Sequence, residues 1–378
     1  MFKQYRLRDY DFKLIILVVA LTLIGILAIG SAKASVQQTQ IYGFVLGLFV
    51  MLFLSLFDYS LVLKFYWVFY LINIVLLILV NTGMGSTGGG AQRWLSLLGI
   101  RFQPSELAKI LLILFYAAFI MKYRERINTV KFLIVALFLL APVIKLIYDQ
   151  PDLSTSIVVT VVFCSILFMA GLSYKIILGI LVVTIPSALI FLYLVLQPDQ
   201  QIIEQYQQNR ILGWLHPEAY ANTIAYQQIN SKIAIGSGQL FGKGYNTNVI
   251  SSVKNGNFIS QPQTDFIFAV IGEEFGFVGT CTVILLIIFI AIECCLCARK
   301  AKDTAGMIIC TGVGTMIGFQ GFLNIGVATG IIPNTGLPLP FVSAGLSSLL
   351  TCYIGIGVVL NVRLQARKSN NNKEREFL

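Results

Sequence analysis

Residues 14–32, LIILVVALTLIGILAIGSA, form an apolar run without a single charge. About 20 such residues are needed for an α-helix to cross the hydrocarbon core of a bilayer. Nine more apolar runs of comparable length follow along the chain, at 41–57, 62–82, 104–121, 132–148, 154–172, 176–196, 266–293, 305–328 and 343–361. The pattern predicts an all-α polytopic membrane protein of about ten transmembrane helices.

The composition supports the same fold class. Hydrophobic residues make up 57% of the chain and charged residues 12%. A soluble domain carries roughly 25% charged residues, so this chain lacks the polar surface that water requires. We therefore predict one membrane domain over residues 1–365, followed by a polar cytoplasmic tail at 366–378.

The distribution of basic residues predicts the orientation. An even number of helices puts both termini on one side, and the loops that would share this side are basic, as in the segment 122–131. Because cytoplasmic loops carry an excess of Lys and Arg, both termini are predicted to be cytoplasmic. The net charge of +10 is then explained by topology and by attraction to membrane lipid, and no nucleic-acid partner is expected.

Two predicted outer segments interrupt the apolar pattern. Residues 83–103 are rich in glycine (Gly83, Gly85, Gly88, Gly89 and Gly90) and continue with Arg93 and Trp94. Residues 197–265 form a large extracytoplasmic loop between helices 7 and 8. Loops of this length usually carry function or are disordered. Within it, the stretch 225–244 mixes apolar residues with glycine, which favours a segment that lies in the interface or re-enters the protein.

Ionisable residues in or beside a membrane span are costly and are candidates for function. Glu106 and Lys109 are three residues apart on one helix face and can pair with each other. Alternatively, Lys109 joins Arg93 and Arg101 in binding an anionic head group. Asp152 begins the sixth helix, where it can serve as an N-cap.

Asp265 stands at the outer start of the eighth helix. A carboxylate there is favoured by the helix dipole and can be only a cap. It also faces the water boundary, where it can act as a general base on a substrate hydroxyl. Glu273 and Glu274 follow about two turns later, and because neighbours cannot share one helix face, at least one should pair with a base or a polar cavity.

Several blocks of the sequence together resemble one family. The blocks are GAQRW (90–94), FQPSELAK (102–109), QPDL (150–153), SKIAIGSG (231–238), GKG (242–244), TDFIFAVIGEEFG (264–276) and TGLPLPFVS (335–343). They are similar to those of the shape, elongation, division and sporulation (SEDS) proteins, polytopic peptidoglycan glycosyltransferases that include RodA, FtsW and SpoVE. The resemblance covers roughly residues 12–365.

The resemblance implies a reaction and a set of site residues. Members polymerise lipid II at the outer face of the cytoplasmic membrane through a β-1,4 bond and release undecaprenyl pyrophosphate. Asp265 would be the catalytic base. No organic cofactor is expected, but Mg or Mn is possible beside the leaving group, without a protein metal site. The predicted substrate-binding residues are Arg93, Trp94, Arg101, Glu106, Lys109, Asp152, Lys232 and Lys243.

The resemblance also implies partners and leaves alternatives. A class B penicillin-binding protein, a transpeptidase, is the expected partner within an elongation or division complex of membrane proteins. The sequence of residues 335–341 resembles RodA. In contrast, Ser154, Gln263 and the stretch 343–347 depart from the usual family pattern. A division or sporulation paralogue, a lipid II flippase or transporter, and an inactive scaffold are the alternatives.

Overall fold

The computed structural model describes residues 10–82, 85–88, 91–97, 100–197, 200, 203–246, 252, 256 and 258–376. Its helices are α1 Phe12–Ala32, α2 Ala34–Leu56, α3 Tyr59–Val62, α4 Tyr66–Asn81, α5 Pro104–Lys122, α6 Val130–Tyr148, α7 Leu153–Met169, α8 Tyr174–Val195, α9 Gln205–Leu215, α10 Tyr226–Ser237, α11 Ile267–Arg299, α12 Thr304–Thr329 and α13 Leu346–Glu376. A short 3-10 turn joins α3 to α4.

The helix count agrees with the sequence pattern. In the described parts of the chain, nine helical spans are long and apolar enough to cross a membrane, with α3 and α4 forming one of them. The shorter apolar helix α7 stands where the sixth span was predicted. The prediction of about ten membrane helices is thus confirmed. α13 continues into the predicted tail as far as Glu376, although the side chains from residue 367 onward are outside the described set.

Contacts at one end of the bundle place the start of α1 beside the end of α11 and the later part of α13. Lys13 Nζ lies 2.7 Å from Glu293 Oε2, and Arg363 Nε lies 3.7 Å from Asp11 Oδ2. The start of α1, the end of α11 and the later part of α13 therefore share one face. That this face is cytoplasmic remains a prediction from the basic loops, and Lys3, Arg6 and Arg8 lie outside the described residues.

The structure departs from the all-helical prediction in the first outer segment. A three-stranded antiparallel sheet is formed by β1 Gly85–Gly88, β2 Ala91–Leu97 and β3 Ile100–Phe102, in that spatial order. Apolar periodicity does not reveal strands this short. Gly83, Gly89 and Gly90 of the glycine-rich stretch lie outside the described residues.

The part of the large loop that forms α10 packs on the bundle. Ser231 Oγ in α10 donates a hydrogen bond to the carbonyl oxygen of Ala328 at 2.7 Å. Gln228 Nε2 donates to the carbonyl oxygens of Val327 and Ile332 at 2.9 and 2.7 Å. These side chains donate to carbonyl groups at and beyond the end of α12. The last carbonyl groups of a helix have no following turn whose N–H groups could donate to them. α10 is consequently fixed to α12.

α11 was predicted as one continuous span, but it is broken at Gly276, where φ is 64° and ψ is −159°. Only glycine adopts this conformation readily. The break is bridged by the segment 238–244 that follows α10. Phe277 N and Val278 N donate to the carbonyl oxygens of Gln239 and Leu240 at 2.8 and 3.2 Å.

The other side of the break is bridged in the same way. Lys243 N and Gly244 N donate to the carbonyl oxygens of Glu273 and Glu274 at 2.9 and 3.1 Å. The two acidic side chains also have partners: Lys243 Nζ lies 2.7 Å from Glu273 Oε1, and Ser31 Oγ donates to Glu274. The break therefore leaves these backbone groups paired, and the segment 267–275 is held as a separate short helix.

Candidate active site

Asp265 lies two residues before the first residue of this short helix and is partly exposed. Its backbone is anchored from α12, because Asn324 Nδ2 donates to the carbonyl oxygen of Asp265 at 2.8 Å. The two residues before it are held by the loop 335–345. Ser343 Oγ donates to the carbonyl oxygen of Thr264 at 2.7 Å, and Ala344 N donates to that of Gln263 at 2.9 Å.

The loop 335–345 penetrates the bundle. Gln40 Nε2, inside the span of α2, donates to the carbonyl oxygen of Ser343 at 3.3 Å. A Cβ built on Gly25 of α1 would lie 2.7 Å from the Cα of Val342, so α1 approaches the loop backbone directly. Non-helical backbone within a membrane domain is tolerated where it is buried in protein or lines a cavity. The loop thus forms the inner support of the segment that carries Asp265.

Arg210 of α9 is the basic group that faces Asp265 most directly, across Gly336. A Cβ built on Gly336 would lie 3.6 Å from Asp265 Oδ2 and 3.8 Å from Arg210 Nη1. Arg210 Nη1 also donates to the carbonyl oxygen of Asn334 at 3.3 Å. The sequence interpretation did not select this residue. One available signal was that Arg210 is the only arginine between residues 197 and 265.

Arg93 and Asp152 also belong to this electrostatic group. The Arg93 guanidinium donates to the carbonyl oxygens of Gln150 and Pro151, which fixes β2 against the start of α7. Asp152 caps α7 by accepting from Thr155 N at 3.1 Å and from Thr155 Oγ1 at 2.9 Å. The N-cap predicted as one alternative for Asp152 is therefore present.

The surroundings of Asp265 change its acidity. Burial raises the pKa of the Asp265 carboxyl above its ordinary value, and the nearby charges of Arg210 and Arg93 oppose this rise, while Asp152 adds to it. A base with a raised pKa binds a proton more readily than an ordinary aspartate and has more driving force for proton abstraction. The site therefore combines a carboxylate suited to base catalysis with two guanidinium groups.

A buried polar chain connects α5 to the loop beneath Asp265. Lys109 Nζ lies 2.9 Å from Glu106 Oε1 and donates to Gln320 Oε1 at 2.7 Å. Gln320 Nε2 in turn donates to the carbonyl oxygen of Pro338 at 3.0 Å. One helical turn further along α12, Asn324 Nδ2 donates to the carbonyl oxygen of Leu337 at 2.7 Å.

The pairing of Glu106 with Lys109, predicted as one alternative, is present in this polar network. Both side chains are buried, with 2% and 1% exposure, and they pair with each other. Gln320 and Asn324 were missed by the sequence interpretation, which considered only ionisable groups. Two amides four residues apart in an apolar span were the available signal, because a helix places such residues on one face.

The other predicted site residues are more dispersed. Trp94 neighbours Arg93 in β2 and is half-buried, whereas Arg101 in β3 and Lys232 in α10 are exposed. Lys243 is engaged with Glu273, at the end of the short helix away from Asp265. The structure thus brings Arg93 and Asp152 towards Asp265 and links Glu106 and Lys109 to its support, but it does not bring Lys243 to the carboxylate.

A metal ion would have few ligands from the protein. Among the described residues, no three His, Cys, Asp or Glu side chains are grouped so that they could hold one. Asp152 already accepts hydrogen bonds as a cap, so Asp265 is the main carboxylate available. Mg²⁺ is commonly bound through one or two carboxylates together with substrate phosphates.

Sequence comparisons give consistent relatives. The FtsW, RodA and SpoVE family, described as cell cycle proteins, matches residues 10–368. A probable peptidoglycan glycosyltransferase FtsW of Trichlorobacter lovleyi is 32% identical over 95% of this chain and 94% of its own length. The peptidoglycan glycosyltransferase MrdB of Escherichia coli K12 is 38% identical over 78% of this chain and 76% of its own length.

Solved structures agree with this relationship. RodA of Thermus thermophilus is 28% identical, with a TM-score of 0.68 over 94% of this chain and 96% of the other. A chain from a peptidoglycan synthase complex that coordinates polymerization and crosslinking has a TM-score of 0.76, with 28% identity over 94% and 98% of the two chains. Together with the matched blocks and the placement of Asp265, these similarities show that the chain belongs to the SEDS family of multi-span membrane peptidoglycan glycosyltransferases.

Proposed function

We propose that this protein polymerises lipid II into glycan strands, with Asp265 as the catalytic base. The observation that carries the proposal is the partly exposed Asp265 carboxylate, held through its backbone by Asn324 and flanked by the charges of Arg210 and Arg93. The alternative role as a helix cap is not supported, because Phe266 is the N-cap of α11 and no side chain donates or accepts a capping hydrogen bond there.

In the proposed reaction, Asp265 removes the proton from the 4-hydroxyl group of the acceptor sugar. The oxygen then attacks the anomeric carbon of the donor as the bond from that carbon to the pyrophosphate breaks, which inverts the configuration and gives a β-1,4 bond. The electron pair leaves with undecaprenyl pyrophosphate. Arg210 and Arg93 would stabilise the charge that develops on this leaving group, because arginine suits paired phosphate oxygens.

Unsatisfied polar atoms near Asp265 support a polar ligand. Asn334 Oδ1 and Thr335 Oγ1 are buried and have no hydrogen-bond partner within the described part of the chain. Buried polar atoms are normally paired, and sugar hydroxyl groups can supply the missing donors. Trp94, Arg101 and Lys232 remain proposed contacts at the periphery of the same site.

An apolar groove is available for the lipid tail. It has a volume of about 460 Å³ and is lined by residues of α2, α3, α4, α5 and α13. On α5 it begins at Leu107, next to the buried Glu106, and it continues along the same helix to Leu114. A tail that enters beside the polar chain of Glu106 and Lys109 would leave the pyrophosphate on the Asp265 side of the bundle.

We further propose that Asp265 faces outward from the bacterial inner membrane, and that a class B penicillin-binding protein is the partner. The similarity to a chain of a peptidoglycan synthase complex supports such an assembly. A role in elongation and cell shape is proposed because the sequence of residues 335–341 resembles RodA. An FtsW-like or SpoVE-like role with the same chemistry is the nearest alternative.

The decisive experiment supplies labelled lipid II to the purified protein together with its transpeptidase. We expect polymer from the wild type and a loss of at least about 100-fold from Asp265→Asn and Asp265→Ala, as for removal of a general base. Arg299→Gln, at the opposite face, is the matched control and should retain activity.

The same preparations separate the alternative functions. A flippase would move labelled lipid II across vesicle membranes without forming polymer, and a scaffold would tolerate the loss of Asp265. Full polymerisation by folded Asp265→Asn would refute the catalytic assignment. Melting temperatures of both variants, measured in the same detergent, establish that the protein is folded.

A further inference from the structure

A second groove lies on the face of the bundle opposite Asp265. It has a volume of about 620 Å³ and lies between the start of α4, the end of α5 and α6. Its apolar wall includes Trp67, Phe119, Phe132, Val135 and Phe138. Trp67, Val135 and Phe138 are exposed, and Phe138 has 74% of its side chain accessible.

The rim of this groove is basic. Arg126 and Lys131 line it together with Thr129, and both basic side chains are exposed. In the described parts of the chain, neither has a carboxylate within ion-pair distance. Glu125, the acidic residue of the same turn, does not line the groove; it lines an adjacent polar hollow formed by residues 121–126, which Arg126 also borders.

The length and position of the groove suit a membrane lipid. From Lys131 to Phe138 the groove follows α6 for seven residues, or about 10 Å at the helical rise. This extends from the membrane boundary, where tryptophans such as Trp67 are common, into the depth of the acyl chains. Basic pockets between membrane helices at the cytoplasmic side suit anionic lipid head groups.

We propose that this groove binds an anionic phospholipid, with its phosphate on Arg126 and Lys131 and one acyl chain along Val135 and Phe138. The charge at the rim selects the head group, and the aromatic wall accommodates the chain. The site does not involve Asp265 or the polymerisation reaction. This proposal can therefore be tested independently of the proposed function.

Native mass spectrometry of the purified full chain tests the proposal. The probes are phosphatidylglycerol and, as the zwitterionic comparison, phosphatidylcholine of the same chain length. We expect wild-type protein to retain phosphatidylglycerol preferentially. Each of Arg126→Gln and Lys131→Gln should weaken retention about fivefold, and the double variant about 30-fold, from the contribution of a basic residue close to a lipid surface.

Two matched variants make the result specific. Arg124→Gln removes the same charge from the same turn but does not line the groove, and it should change retention less than twofold. Val135→Trp fills the groove without altering charge and should reduce retention as strongly as Arg126→Gln. Equal effects of Arg124→Gln and Arg126→Gln, or unchanged binding by folded Val135→Trp, would overturn the proposal in favour of general surface attraction.

Discussion

Asn324 and Asp265 are joined by a hydrogen bond from the Asn324 side chain to the Asp265 carbonyl oxygen, 2.8 Å long. The same amide nitrogen donates to the carbonyl oxygen of Leu337 at 2.7 Å. One buried side chain in α12 therefore ties the segment that carries the proposed base to the loop beneath it. The orientation of the carboxylate depends on a residue that does not itself touch the reacting groups.

Asn324→Ala should consequently impair catalysis more than substrate binding. The substitution removes the donor that the carbonyl oxygens of Asp265 and Leu337 share, one part-buried and one buried, and loss of a partner in the interior costs about 1–3 kcal/mol for a buried group. We expect a lower melting temperature and a fall in kcat for lipid II polymerisation of at least about tenfold, with a much smaller change in KM. Steady-state kinetics of the folded fraction measure both constants.

Asn324→Asp is the informative companion. It keeps the shape of the side chain but replaces the donating amide nitrogen with an oxygen, so it should be as defective as alanine. A kcat equal to wild type in either variant would show that this link does not position Asp265.

Arg210 should set the pH dependence of the reaction. The pKa of Asp265 is raised by burial and is held down first by Arg210 and then by Arg93. A general base acts in its ionised form, so activity falls as the pH decreases through its pKa. Arg210→Gln removes the larger opposing charge, the pKa of Asp265 rises further, and the acidic limb of the pH–rate profile moves to higher pH.

This shift is measured from kcat/KM for lipid II between acidic and neutral pH. Arg124→Gln, which lies on the opposite face of the bundle, controls for the loss of one positive charge and should leave the limb in place. An unmoved or downward-moved limb in folded Arg210→Gln would contradict the electrostatic assignment.

The membrane spans were predictable from the sequence because the bilayer imposes a length and a polarity on each helix. The location of Asp265 was also predictable, because this residue lies at the boundary of such a span. Arg210 could not be placed, because its approach to Asp265 depends on how α9 packs across Gly336. The break at Gly276 was equally hidden, since it requires the segment 238–244 to supply backbone partners from elsewhere in the chain.

That break gives a stability prediction. Gly276 has φ 64° and ψ −159°, and a Cβ at this position would overlap the backbone nitrogen of Gly242. Gly276→Ala therefore combines backbone strain of about 1–3 kcal/mol with a steric clash, and the melting temperature should fall markedly.

Gly236→Ala in α10 is the matched control, because a Cβ at Gly236 meets nothing within 4 Å and alanine favours a helix over glycine. Its melting temperature should be unchanged or slightly higher. If Gly276→Ala melted at the wild-type temperature, the conformation assigned to the break would be incorrect.

Variants of Glu106 and Lys109 distinguish a structural role of this pair from a role in substrate binding. Lys109→Met leaves a buried carboxylate without its cation, and breaking a buried pair in this way costs about 3–5 kcal/mol. Glu106→Gln combined with Lys109→Met removes both charges, so it should melt closer to the wild type than Lys109→Met alone. If Lys109 only supports Gln320, the KM for lipid II in the double variant stays near the wild-type value while kcat falls. A KM raised by tenfold or more in the stable double variant would instead mean that the ammonium group contacts the donor.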